Sequence, residues 1–328
     1  MSIAEFEQIP ETALAWYLDG RSAALATVVE TWGSAPRPAG SQLAISADAE
    51  LVGSVSGGCV EGAVVAEAIE AMQNGVSRIL EYGVTDDDAF SVGLACGGRI
   101  KVMVEPVSVG DGIALDLLEG VVAARAARRA VGIETDTTVW TRRLVGPEAH
   151  IARFAADKAG FEGQSFVTLY SPPLRMIVVG GVHIAQPLMA MARLGGYDAV
   201  LVDPREAFAT AARFPGERLL HEWPDAALAN EGLDARTAII TLTHDPKLDD
   251  PAIEMALRTP VFYLGCLGSL RTHAKRVTRL QERGYTMAEI ERIDAPIGAD
   301  IGARSPAEIA ISVMAQLTER LRRPETRR

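Results

Sequence analysis

The sequence predicts an α/β protein in two dissimilar parts: an N-terminal mixed α+β domain over residues 1–170, then a C-terminal Rossmann-like domain, a doubly wound parallel sheet, over 171–328. Three observations carry this reading. Ser171-Pro172-Pro173 interrupts any regular element, and an apolar strand pattern, RMIVVG, starts directly behind it. Beyond that point short β-branched runs alternate with helical patterns, the arrangement of a parallel sheet covered by helices on both faces. Before it the strand patterns are less regular, and at 328 residues the chain is long enough for a full core in each half.

In the first half, apolar spacing predicts an opening helix around Glu11 to Asp19. AALATVVETWGSAPRPAGSQLAIS follows, alternating well enough for two strands joined by a Gly/Pro-rich loop that carries Arg37. GSVSGGCVEGAVVAEAIEAM then puts a glycine turn ahead of a helix from Val60, with Val60, Val64, Ile69 and Met72 on its buried side. Cys59 therefore falls at a helix N-terminus. The partial positive charge there favours a thiolate, and the Ser56-Gly57-Gly58 turn is expected to aim several N–H groups at one anion. A second glycine-flanked thiol occurs in SVGLACGGRIKVMVEP, where Cys96 precedes Gly97, Gly98 and Arg99 and a strand runs from Ile100 to Val104. For each cysteine the other reading is a small buried apolar filler. The spacing offers neither a C-x-x-C zinc site nor, for cysteine-hydrolase chemistry, a His base marked by context.

The second half reads RMIVVG, a helix from His183 to Leu194, DAVLVD, TAIITLT, a helix near Asp249 to Arg258, and PVFYLG; the polar FAADKAGFEGQS before it suits a connection. At the first strand-to-helix turn, VVGGVHIAQPL, Gly180 fills the first position of G-x-G-x-x-G and Ala185 the permissive third. Val182 takes the second, where only glycine lets a pyrophosphate approach the backbone closely. Gly180, Gly181 and His183 are the candidate contacts here, with Asp203, about 20 residues on, in the place of a ribose-binding acid. Nucleotide binding and a turn kept for packing both remain open. YLGCLGSLRTHAKRVTRL repeats strand, glycine turn and helix, so Gly268 and Ser269 would present an amide and a hydroxyl at a helix start. Arg271, His273, Lys275 and Arg276 behind them form a basic cluster that suits an anion or a solvated helix face. Cys266, in an apolar strand end, reads as buried. Ser305 and Glu308 start the last helix as a capping box.

Composition excludes several classes. With 32 Lys+Arg against 43 Asp+Glu the net charge is −11, the wrong sign for a general nucleic-acid binder. Three cysteines far apart argue for free thiols in a reducing, cytoplasmic compartment. The start lacks a basic region followed by a continuous apolar core, and no stretch has the apolar length of a membrane span, so neither export nor membrane insertion is expected.

Taken in order, GSAPRPAG, GSVSGGCVEG, GLACGGRIKVMVEP, VVGGVHIAQPL, YLGCLGSLRTHAKR and PIGADIGARSPAEIAISVMAQ closely resemble the xanthine dehydrogenase accessory protein family, XdhC/CoxI, from about Ala24 to Gln316. The resemblance implies a chaperone of the molybdenum cofactor, molybdopterin or its cytosine dinucleotide form, which assists cofactor sulfuration with a cysteine desulfurase as sulfur source. It implies delivery to a molybdoenzyme of the xanthine oxidase family, and thus a maturation factor rather than a stand-alone catalyst. On that basis Cys59 is the candidate molybdenum ligand or sulfur carrier and Cys96 the second reactive thiol. Arg37, Ser56, Gly57, Gly58, Glu61, Gly97, Gly98 and Arg99 are expected around the cofactor, with Gly180, Gly181, His183, Asp203, Gly268, Ser269, Lys275 and Arg276 at the Rossmann end. Relatives read G-A-G-H-V-A where this chain has Gly180 to Ala185 with Val182 in the centre, which puts a bound nucleotide in question. A homodimer would suit a factor that shields a labile ligand, and the sequence leaves it open. Residue chemistry without the resemblance also allows an NAD(P)-dependent oxidoreductase, or a redox or metal sensor built on Cys59 and Cys96.

Overall fold

The computed structural model describes residues 8–33, 37–83 and 98–323. The chain divides into two compact units, Met1–Pro172 and Pro173–Arg328.

Unit 1 runs α1 (Ile9–Leu18), β1 (Ala23–Trp32), β2 (Gln42–Ser46), β3 (Leu51–Gly53), α2 (Glu61–Asn74), β4 (Arg78–Tyr82), β5 (Arg99–Pro106), α3 (Leu115–Ala126), β6 (Val131–Asp136), β7 (Arg142–Val145), α4 (Ile151–Ala156), β8 (Gly160–Glu162) and β9 (Ser165–Tyr170). An antiparallel sheet of order β3-β2-β1-β5-β4 is its centre. β1 takes the middle because it is apolar on both faces. Ala24, Ala26 and Val28 pack under Val64, Ala68, Ala71 and Met72 of α2, while Ala23 and Leu25 join α1 and α3 on the other side. Each large side chain buried this way contributes about 1.5–3 kcal/mol. Gly75, left-handed at φ 72°, stops α2 where a residue with a Cβ would be strained.

A second antiparallel sheet, β7-β6-β9-β8, feeds Val131, Ile133 and Tyr170 into the α1–α3 cluster. Its presence corrects the reading of FAADKAGFEGQS as a connection, since that stretch supplies the end of α4, all of β8 and the start of β9. Tertiary pairing overrides the polar composition: Arg153 Nε donates to Glu162 at 2.7 Å, and Phe161 meets Phe166 edge-to-face at 5.1 Å.

Unit 2 runs β10 (Arg175–Val179), α5 (Ala185–Leu194), β11 (Asp198–Val202), β12 (Arg218–Leu220), α6 (Pro224–Glu231), β13 (Thr237–Thr241), α7 (Pro246–Leu257), β14 (Tyr263–Cys266), α8 (Leu270–Glu282), α9 (Met287–Ile290), β15 (Ile293–Asp294) and α10 (Pro306–Arg322). Its sheet is parallel throughout, in the order β12-β11-β10-β13-β14-β15. The two-residue period of β10 divides the core: Met176 and Val178 face α5 and α10, and Ile177 and Val179 face α6 and α7. The order reverses between β10 and β13, so the switch point lies beyond their carboxyl ends. Ser305 and Glu308 form the expected capping box of α10. The helix expected from Asp249 starts a turn earlier at Pro246, because Asp245 caps it by accepting from Lys247 N–H at 3.0 Å.

Candidate functional site

Strand directions in unit 1 bring several of the expected residues to one sheet edge. β1 ends at Trp32 opposite Arg99, the first residue of β5; β2 starts at Gln42, opposite Thr27; β3 ends at Gly53, opposite Leu43; and β4 ends at Tyr82, opposite Ile100. The stretch with Arg37, the Ser54–Val60 turn with Cys59, and Gly98-Arg99 all leave from that edge. Arg37, Gly57, Gly58, Cys59 and Arg99 are exposed, while Ser56 and Gly98 are buried. Cys96 and Gly97 lie outside the described residues.

Cys59 is a free, exposed thiol two residues ahead of α2. The turn before it differs from the expected anion cradle. Its donors converge on the carboxylate of Glu61, the first residue of the helix: Ser54 Oγ at 2.7 Å, Val55 N at 3.1 Å, Ser56 N at 2.8 Å and Gly58 N at 2.8 Å, with Ser56 Oγ donating as well. Gly57 N–H goes to Ser54 Oγ at 2.9 Å, and Val60 N–H to Ser56 Oγ at 2.9 Å. Burial raises the carboxyl pKa of Glu61, but the Ser56 and Ser54 hydroxyls and the Ser56 amide outweigh it and bring the value down to about 2. Glu61 and Ser56, expected as cofactor contacts, are thus partners of each other. Ser54 was missed by sequence reasoning; its signal was the Ser-x-Ser-Gly-Gly spacing ahead of an acid at the helix start.

Two cations flank Trp32 at the same edge, with Arg99 Cζ 5.2 Å and Lys101 Nζ 5.1 Å from the ring centroid. Lys101 also pairs with Glu30 at 3.2 Å, while Arg99 is held against the ring with no carboxylate partner among the described residues.

In unit 2 the expected residues gather at the carboxyl edge of the sheet, and several are already engaged. Asp203 is fully buried and accepts from Gly181 N at 2.8 Å and from Arg205 Nε and Nη2 at 2.8 and 2.7 Å. Burial raises its pKa, yet these bonds leave it lowered. Its expected ribose role is corrected: the side chain closes the turn instead of facing a ligand. A Cβ on Gly181 would lie 2.6 Å from Phe208 O, and one on Gly180, at φ 109°, would strike Thr243, so close packing accounts for both glycines. His183 is exposed before α5. Ser269 caps α8, its hydroxyl accepting from Thr272 N at 3.2 Å.

The basic cluster divides. Lys275 is exposed, but Arg276 is 2% exposed, with Nη2 donating to Leu267 O at 3.1 Å and lying 3.9 Å from Asp249 Oδ2. Its Nε and Nη1 have no partner among the described residues. Burial raises the pKa of Asp249 against a hydrogen bond from Thr243. Burial likewise pushes the Cys266 thiol up to about 11. His244, left-handed at φ 60° beside the Gly268 turn, was not singled out from sequence. Among the described residues, no three His, Cys, Asp or Glu side chains gather as a metal site, and no helix is long and apolar enough to cross a membrane.

An antiparallel unit presenting an exposed thiol, followed by a Rossmann unit whose first turn is closed by its own acid, defines a two-unit α/β protein. Residues 16–83 match the XdhC and CoxI family and residues 176–317 the XdhC Rossmann domain. The chain is 31% identical over 304 residues to the molybdenum cofactor insertion chaperone PaoD of Escherichia coli, covering 92% of this chain and 84% of that one. It is 25% identical to a probable xanthine dehydrogenase subunit of Bacillus subtilis, over 93% and 95% of the two chains. The crystal structure of a xanthine dehydrogenase from Bacillus halodurans is similar with a TM-score of 0.76 at 25% identity, covering 98% of this chain and 96% of that one. The chain belongs to the XdhC and CoxI family.

Proposed function

We propose that this protein binds the molybdenum cofactor and passes it to a molybdoenzyme of the xanthine oxidase family, with Cys59 as the sulfur that meets the cofactor. The observation that carries the reading is the exposed Cys59 thiol on a pre-formed turn, at the same sheet edge as Arg37 and Arg99. The donor set fits the metal end of such a cofactor, since a thiolate is a soft ligand, and two exposed guanidiniums suit its phosphate. The bound group would supply the molybdenum centre; the chain supplies a sulfur, cations and a rigid support. The named chaperone among the relatives supports this reading. Assistance with sulfuration by a cysteine desulfurase, with Cys59 or Cys96 as carrier, belongs to the same proposal. So does a cytoplasmic location.

A nicotinamide oxidoreductase is less well supported. Val182 stands where the phosphate turn needs glycine, and Asp203 is spent on Gly181 and Arg205. Titration with NAD, NADP, ATP and CTP tests the Rossmann unit directly, and saturable tight binding of a dinucleotide would reverse this judgement. For the leading reading, anaerobic purification followed by metal analysis and pterin fluorescence should find molybdopterin with the wild-type chain. Cys59→Ser should carry markedly less and activate a client molybdoenzyme poorly. Unchanged loading and activation would remove Cys59 from the role.

A further inference from the structure

Glycine turns ahead of helices ordinarily offer their amides to a ligand's anion. In this turn the anion is already present and covalently attached. The carboxylate of Glu61 receives three backbone N–H groups, from Val55, Ser56 and Gly58, and two hydroxyls, from Ser54 and Ser56. It belongs to the first residue of α2, so the positive end of the helix adds to the attraction. The hydroxyls are used twice: each donates to Glu61 and accepts a further amide, Gly57 N on Ser54 and Val60 N on Ser56. A second anion brought to these amides would have to displace a carboxylate that already accepts from five donors. Cys59 contributes nothing to this network and stays exposed beside it.

We infer that Glu61 is a positioning residue: its carboxylate is the internal counter-anion of the Ser54–Gly58 turn, shutting a ligand's phosphate out and leaving the Cys59 sulfur as the ligand-facing group. Combined with the function proposed above, on which this step rests, the inference sets the polarity of the bound cofactor. A phosphorylated metal cofactor meets the turn with its metal end. Its phosphate is left to cations away from the turn, of which Arg37 and Arg99 are exposed at the same edge.

The full-length apo protein tests this with inorganic phosphate and pyrophosphate as probes, so that no pterin is required. Two readouts are followed: hydrogen exchange at the amides of Val55, Ser56 and Gly58, and the rate of Cys59 alkylation by peptide mass mapping. In the wild type neither probe should slow either process. Glu61→Gln should speed exchange at the three amides by on the order of tenfold while α2 and β1 keep their protection, because a neutral amide cannot accept from all these donors. Glu61→Asp, which keeps the charge, should restore part of the protection, a rescue that a side chain serving only as filler would not show. Glu61→Ala should become phosphate-sensitive, with exchange slowed as the probe fills the emptied turn. If Glu61→Ala does not fold, the wild-type and Glu61→Gln arms still decide. Protection of the wild-type turn by phosphate, or wild-type exchange rates in Glu61→Gln, would overturn the inference. Neither result would touch the cofactor reading, which fails separately if Cys59→Ser loads normally.

Discussion

Replacing Glu61 by glutamine should expose how much the internal anion stabilises unit 1, and should do so in a pH-dependent way. The carboxyl lies at about 2 in the fold against 4.5 when unconstrained. At 1.36 kcal/mol per pH unit the whole difference corresponds to about 3.4 kcal/mol, and solvent screening at this partly buried position reduces it to about 1–2 kcal/mol. A depressed folded pKa makes this stabilisation fully present above 4.5 and lost as pH falls through about 2. The wild type should therefore exceed Glu61→Gln by about 1–2 kcal/mol near neutrality, the gap narrowing between pH 4.5 and 2. Trp16, Trp32 and Trp140 lie in unit 1 and Trp223 in unit 2. In a Trp223→Phe background, tryptophan emission during urea unfolding therefore follows unit 1 by itself, which avoids treating two units as one transition. Other carboxylates titrate equally in both proteins and cancel in the difference. A gap that is absent at neutrality, or unchanged in acid, would refute the argument that a charged acceptor organises the turn.

Cys59 and Cys266 should separate cleanly in brief iodoacetamide labelling at mildly alkaline pH. Cys59 is exposed, while Cys266 is buried with its thiol pushed up to about 11, so it should label only after unfolding; early labelling of Cys266 would contradict its placement in β14. Gly181→Ala should destabilise unit 2 by about 1–3 kcal/mol, read from Trp223 emission, because the new Cβ would lie 2.6 Å from Phe208 O. Asp203→Asn should cost about 2 kcal/mol in the same assay, since the Arg205 guanidinium and the Gly181 amide lose a charged, fully buried acceptor; a neutral effect would mean the turn does not depend on it.

The position of Cys59 was legible because a glycine turn and an apolar stripe at helical spacing both report local geometry. The expected capping box on Ser305 is equally local and is found. The second sheet of unit 1 was hidden because its outer strands, β7 and β8, have only four and three residues and are held by contacts such as Arg153–Glu162 that join separate elements. Cys96, singled out with Cys59 by its glycines, falls outside the described residues. The fates of Glu61, Asp203 and Arg276 were not legible either. Each was expected as a ligand contact, Glu61 from its place behind the glycine turn, Asp203 from its spacing after Gly180 and Arg276 from its basic cluster, yet in the fold Glu61 turns back on its own loop, Asp203 is enclosed, and Arg276 donates to the Leu267 carbonyl.

By itself the sequence determined the strands β10, β11, β13 and β14, the helices α5, α8 and α10 and the family motifs, because periodicity and capping act over a few residues, whereas the short β12, α6, α9 and β15 carry too little pattern to read. Only the tertiary structure decided which polar groups remain available to a ligand. Availability depends on what satisfies each buried N–H and each charge, and for the amides of Val55, Ser56, Gly58 and Gly181 the answer is a carboxylate of the chain itself.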